Sequence, residues 1–350
     1  MTAKMALSVV LVVITLVCGI GVETGLEAQG RVKVRYGQSG DTLVFFPMYV
    51  ARDRGYFAEE GIDLETVILG GGPALLAAQM GGSIDFQDTT LFHLVKAHEQ
   101  GLELVAFASI HEELGLDVAI STDVHRRLGL DKVTSVEEKI RALKGLRIGI
   151  SAAGASTDLL VRNLLWDQGI NPDTSTSLLP MGTGGPLVAA LEKGVIDAFV
   201  YPSPFPETAH VRGFGKVLIS TNKGEVVKWR GFQYQILAAP KKYMEENPKV
   251  MLGITRAVAK AQKLIRENPA EARRSVKKFF PKIDDAVLEL ALENVMHGVA
   301  KDPVLRKRGY ELNEPFLNAG GAKKFSLPAF EKLVTNEFSE RAVQELGMKR

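Results

Sequence analysis

Two stretches of this chain, about 112 residues apart (197 − 85), say nearly the same thing. Residues 75–85 read LLAAQMGGSID and residues 187–197 read LVAALEKGVID, so that Leu75, Gly82 and Ile84-Asp85 match Leu187, Gly194 and Ile196-Asp197. Each copy follows a glycine turn ending in Gly-Pro, GGGP at 70–73 and GTGGP at 182–186. A period of this length is too long for a solenoid repeat and suits a domain. The chain therefore has to fold as two similar units, in each of which a helix turns at Gly and re-enters as a strand through Ile-Asp.

The surrounding pattern says what kind of unit. VKVRYGQ, IDLETVIL and IDFQD read as strands in the first half, with LELVAFAS (102–109) and GLDVAIST (115–122) after them. GLRIGI (145–150), TSLLPM and DAFVYP follow in the second half, and STDLLVRNLLWDQG (156–169) is an amphipathic helix stopped at Gly169. Strand–helix–strand units with short connections predict an α/β class with two doubly wound lobes, each built on a parallel sheet. After YQILAAP (234–240) the texture is helical only, with Pro248, Pro269 and Pro328 at helix starts. That tail is expected to return to the first lobe. The domain reading is residues 1–30 as a leader, 31–121 plus 236–350 as lobe 1 and 122–235 as lobe 2, the chain crossing between lobes near 120 and near 235.

The leader reading rests on Lys4, the uncharged run from Met5 to Val22, and small residues Ala28 and Gly30 placed for a cut before Arg31. It implies an extracytoplasmic protein with a cleaved signal peptide. An uncleaved membrane anchor is the competing use of the same segment. The one cysteine, Cys18, lies inside it, so a cleaved chain has no thiol for disulfide, nucleophile or metal. The formal net charge of +2 is too small to argue for nucleic acid.

In open sheets, ligands gather beyond the carboxyl ends of strands. The loops there are QSGDTLVFF (38–46), QDTT (87–90), SAAGAST (151–157), PMGTGG (180–185) and YPSPF (201–205). They are rich in Ser, Thr and Gly, and several run into helix starts, whose free N–H groups suit an anion. Ser156 reads as an N-cap residue, a role compatible with ligand contact.

Three stretches, FFPMYVARDRGYFAEEGIDLETVILGGGPALLAAQMGGSIDF, GLRIGISAAGASTDLLVRNLL and LVAALEKGVIDAFVYPSPF, resemble the periplasmic solute-binding proteins of ABC importers for sulfonates, taurine, nitrate and thiamine precursors. The resemblance spans most of 33–240. It implies a type II periplasmic-binding fold, two lobes joined by two crossovers and closing on a small molecule, with a membrane permease as partner. It places the ligand-facing loops on Ser39, Gly40, Phe46, Thr89, Thr90, Ser156, Thr157 and Tyr201, and Asp88 and Ser151 of the same loops complete the candidate set. None of the five loops contains Lys or Arg, while Asp41 and Asp88 lie in two of them. Either the aspartates serve as turn and cap residues, or the ligand carries an amine or a hydrogen-bonding ring. Phe45, Phe46, Tyr201, Phe205 and Trp229 are candidate aromatic walls, with Phe45 and Phe205 expected in the core.

The same fold also hosts enzymes, including a thiamine-pyrimidine synthase and relatives acting on menaquinone precursors, and fold alone does not separate them from binders. The chemistry-bearing motifs are missing: the six histidines show no HExxH spacing, and there is no Gly-x-Ser-x-Gly elbow or Walker loop. HEE at 111–113 reads as a solvated loop rather than a metal pair. The sequence thus points to a monomeric binder without catalysis, metal or cofactor. A membrane-tethered sensor that keeps residues 5–22 as its anchor is a third reading.

Overall fold

A computed structural model describes residues 30–69, 71–318 and 325–348. Cys18 and the leader reading of residues 1–29 lie outside these residues, as does Gly70 of the first glycine turn.

β1 (Val32–Gln38) alternates its side chains across the sheet, burying Val34 and Tyr36 completely. It pairs in parallel with β2 (Ile62–Ile68) on one side and β3 (Phe86–Thr89) on the other. β4 (Leu104–His111) closes this sheet at its far edge. The second sheet has β6 (Arg147–Ile150) in parallel between β7 (Ser177–Pro180) and β8 (Ala198–Tyr201). Each sheet then receives one strand by way of the other. β5 (Asp117–Ser121) enters the second sheet between β8 and β9 (Gly215–Ser220), and β10 (Gln235–Pro240) enters the first between β3 and β4. The orders are β2-β1-β3-β10-β4 and β7-β6-β8-β5-β9.

Two expectations are corrected here, and one strand is new. The sheets are mixed rather than parallel, because β5 and β10 run antiparallel to both neighbours. A strand that arrives from the opposite sheet takes its direction from the crossing, not from a local β–α–β unit. Residues 117–121 belong to the second sheet, so the first crossing lies at 112–116 and not near 120. β9 had no counterpart in the sequence reading. The second crossing runs through 221–234.

The repeat is carried into the structure at full register. Arg35 in the middle of β1 grips Asp85 through Nε–Oδ2 (3.1 Å) and Nη2–Oδ1 (2.6 Å), and its Nη1 donates to Gly82 O (2.7 Å). Arg147 does the same to Asp197 (3.0 and 2.9 Å) and Gly194 O (2.9 Å). Gly82 and Gly194 adopt φ of 65° and 68°, a left-handed turn that aims each carbonyl at its arginine. Two residues after each arginine, Gly37 and Gly149 admit the helix behind. A Cβ on Gly37 would lie 2.4 Å from Ile84 and 2.8 Å from Leu75, and one on Gly149 2.6 Å from Leu187 and 2.8 Å from Ile196. The repeated Leu, Gly, Ile and Asp are therefore the packing contacts and clasp of one motif built twice.

Helices complete the core. Pro248–Glu267 buries Met251, Ile254, Val258, Ala261 and Ile265 at helical spacing, packing on Phe46–Asp53 and Glu337–Glu345. The helix expected from Pro328 onward is broken into Phe330–Leu333 and Glu337–Glu345. Val334 leaves the helix to bridge Ala106, and Thr335 N donates to Ala106 O (2.9 Å). That contact covers part of the open edge of β4. Among the described residues no helix is long and apolar enough to cross a membrane.

Candidate functional site

The loops beyond β1, β3, β6 and β8 are held from below by buried polar side chains. Asp88 has no exposed surface, and three donors converge on it: Ser39 N (3.0 Å), Ser39 Oγ (2.6 Å) and Tyr36 Oη (3.0 Å). Burial raises its carboxyl to about 6, with those hydrogen bonds opposing. Gln38 donates to Gly40 O (2.8 Å) and to Tyr49 Oη (3.0 Å), and Tyr49 Oη donates to Thr42 O (3.2 Å). The 39–42 loop is thus fixed at both ends. Asp41 itself is exposed. Of the two roles open for these aspartates, Asp88 takes the structural one.

The second sheet uses a different device for the same task. Thr157 Oγ1 accepts Ser151 N–H (3.0 Å) and pairs with Ser151 Oγ (2.7 Å), while Gly154 N donates to Asp158 Oδ2 (2.7 Å). Arg162 Nε holds the other Asp158 oxygen at 2.9 Å. Thr157 is buried and spends its hydroxyl inside the loop. Ser156 is not the N-cap: Ala155 occupies that position, and Ser156 opens the helix Ser156–Asp167. Its hydroxyl faces that of the buried Tyr234 instead. Thr90 is the N-cap of Leu91–Glu99, yet makes no side-chain cap bond.

Thr90 from the first sheet and Ser156 from the second line one small cavity, of about 10 Å3, with Phe92, Tyr234, Asn313 and Phe316. That is room for about one water, against the several hundred Å3 of an ordinary ligand pocket. Tyr201 is half-buried, its ring edge-on to Phe205 at 5.1 Å and its hydroxyl meeting the Gly184 N–H at a helix start. Gly40 is half-exposed, with open space where a side chain would stand. Thr89 is buried, with only a long 3.4 Å contact to Thr90 O. Phe46 is wholly buried in the apolar core, outside that cavity.

The expected ligand loops therefore divide. Thr90 and Ser156 are brought together, Ser39, Asp88, Ser151 and Thr157 are fastened beneath them, and Phe46 supports the fold. Sequence reasoning missed Tyr234, Asn313 and Phe316, which reach the cavity from the second crossing and the C-terminal segment. No local pattern marks them. HEE at 111–113 is not a solvated loop: His111 has no exposed surface, Glu112 pairs with Arg306 (2.6 Å) and Glu113 accepts Gly231 N–H (3.2 Å). Among the described residues no three His, Cys, Asp or Glu side chains gather to hold a metal. A larger groove of about 740 Å3, lined by Leu104, Met244, Glu245 and Phe338, lies at the opposite end of the first sheet from Thr90.

Two sheets of this order, each loaded with polar loops at its strand ends, agree with a family match over residues 32–279. The chain belongs to the NMT1-like family. A solved protein from Bordetella bronchiseptica RB50 is 25% identical with a TM-score of 0.75, covering 91% of this chain and 99% of its own. The periplasmic aliphatic sulphonate binding protein SsuA from Escherichia coli is 18% identical, TM-score 0.66, covering 87% and 92%. The periplasmic nitrate-binding protein NrtA from Synechocystis PCC 6803 is 15% identical, TM-score 0.64, covering 91% and 90%. YtlA of Bacillus subtilis, named as a candidate binding protein, is 22% identical over 328 residues, 91% of this chain and 92% of that one. The fold of this NMT1-like chain is the type II periplasmic-binding fold, as the resemblance implied.

Proposed function

We propose that this protein is an extracytoplasmic solute-binding protein that captures a small polar or anionic organic molecule and hands it to the permease of an ABC importer. The observation that carries the reading is the meeting of Thr90 and Ser156, one from each sheet, at the starts of helices 91–99 and 156–167. Helix starts and hydroxyls offer hydrogen-bond donors and a partial positive charge without any lysine or arginine. Because Asp88 is already met by three internal donors, its charge does not face the ligand and does not demand an amine there. Sulphonate- and nitrate-binding neighbours support the same chemical class.

In this reading the first sheet and the second act as lobes, residues 112–116 and 221–234 joining them, and ligand entry requires them to part. Export through a cleaved leader, with Arg31 as the mature start, fits an importer component. The test is a thermal-shift screen over sulfonates, nitrate, taurine, amino acids, pyrimidines and aromatic acids, followed by calorimetry and mass spectrometry of the bound compound. A ligand at about 100 times its Kd adds about 2.7 kcal/mol of stability. One site per chain and a ligand recovered unchanged are expected. Recovery of a converted product would turn the assignment to an enzyme of this fold.

A further inference from the structure

Where both crossings meet, two carboxylates are buried together without a cation. Asp117, the first residue of β5, has no exposed surface, and Glu207 of the helix Phe205–Val211 has 1%. The amide of Asn294, on the helix Asp285–Met296, donates to Asp117 Oδ2 and to Glu207 Oε1 (2.7 Å). Ser203 Oγ also donates to Glu207 Oε1 (2.8 Å), and Asn222 donates to Asp117 through N (3.4 Å) and Nδ2 (3.3 Å). Glu207 Oε2 is buried with no partner. Neither carboxylate joins an ion pair among the described residues.

We propose that Asp117 and Glu207 hold one proton between them, and that this proton is a latch on the joint between the two sheets. Two like charges in a buried site disfavour full ionisation, so the pair keeps a proton where isolated carboxyls would have lost it. The site is placed to matter for closure. Asp117 directly follows the first crossing, and Asn222 is the second residue of the second. Ser203 O accepts the N–H of Leu43, from the loop that follows β1, at 3.0 Å. Losing the shared proton sets two full charges against neutral donors only, Asn294 between them, Asn222 and Ser220 on Asp117 and Ser203 on Glu207, and loosens the contact among these elements.

Nothing nearby compensates. Glu225 takes Ser220 N–H (3.1 Å) and lies 3.8 Å from Lys139. Arg212, at the C-terminus of the Glu207 helix, pairs with Asp284 at 3.8 Å. Lys216 of β9 acts on His210, while Glu192, Glu289, Glu293 and His297 are exposed. Tyr201 of β8 points its hydroxyl at Gly184. His111, wholly buried, meets Asn222 Oδ1 through Nε2 (2.9 Å), and burial lowers it to about 4, so it is neutral. Burial, then the charge of Asp117, raises Glu207 well above the usual carboxylate range, and burial raises Asp117 as well. The sign follows: the contribution is whole below the ordinary carboxylate range and is lost as pH rises through neutrality.

The test needs no ligand. Full-length protein, Glu207→Gln and Asp117→Asn are followed by thermal unfolding and small-angle scattering from pH 5 to pH 9. The expected result is a parent whose melting temperature falls by several degrees relative to Glu207→Gln as pH rises, with a growing radius of gyration that Glu207→Gln lacks. Infrared spectra at pH 6 should show a carboxylic-acid C=O band that Glu207→Gln removes. If Glu207→Gln fails to fold, Asp117→Asn carries the same comparison. Melting curves that run parallel to the parent's at every pH, a radius that does not change, or an acid band at pH 6 that is the same in parent and Glu207→Gln would overturn the latch, since Asp88 contributes such a band in both. Because no solute is present, these outcomes are separate from whether the ligand class above is right.

Discussion

Replacing Asp88 by Asn tests how the loop beneath the candidate site is held. The carboxyl is wholly buried and raised from 3.8 to about 6, chiefly by burial. At about 1.4 kcal/mol for each pH unit, that rise corresponds to about 3 kcal/mol. A raised carboxyl contributes its full stability below 3.8 and loses it as pH climbs to about 6. Asn cannot ionise, so the variant escapes this loss. It does set its own amide N–H2 among the donors Ser39 N, Ser39 Oγ and Tyr36 Oη, a mismatch worth about 1 kcal/mol. Asp88→Asn should therefore be slightly less stable than the parent near pH 4 and about 2 kcal/mol more stable at pH 7. Urea unfolding of both proteins in steps across that range measures the gap, and other titrating groups cancel in the difference. Ligand affinity at pH 7 should change little, since the carboxylate faces inward. A gap that stays constant with pH, or a variant that is weakest at pH 7, would show that Asp88 is a satisfied anion and refute the reasoning.

Thr157→Val removes the acceptor for Ser151 N–H inside the buried loop and should cost about 1–3 kcal/mol in urea unfolding; Thr157→Ser should restore most of it, and a neutral Val variant would show that the loop does not depend on this tie. Asp85→Ala and Asp197→Ala break the two copies of the clasp, whose aspartates are equally buried at 14% side-chain exposure. Each should lose about 1–2 kcal/mol, the losses should agree within about 0.5 kcal/mol, and the double variant should show their sum.

The doubled unit is readable from local pattern alone. Leu75, Gly82, Ile84 and Asp85, with their partners 112 residues on (197 − 85), were legible because helix–sheet packing and a glycine turn need those residue types locally. The clasp was within reach too: RYGQS at 35–39 and RIGIS at 147–151 stand at the same offset and carry Arg35, Arg147, Ser39 and Ser151. The polar loops were also readable, since strand ends and helix starts announce themselves in Ser, Thr and Gly. Tertiary structure alone decided which sheet β5 and β10 join and in which direction, because a crossing strand answers to both sheets and to no local pattern. It alone turned Asp88 and Thr157 inward and brought Thr90 to Ser156. It also set Asp117 beside Glu207 and Asn294, residues from three separate stretches of chain. Periodicity and turn chemistry act over a few residues, whereas burial and charge pairing depend on neighbours that sequence distance does not reveal.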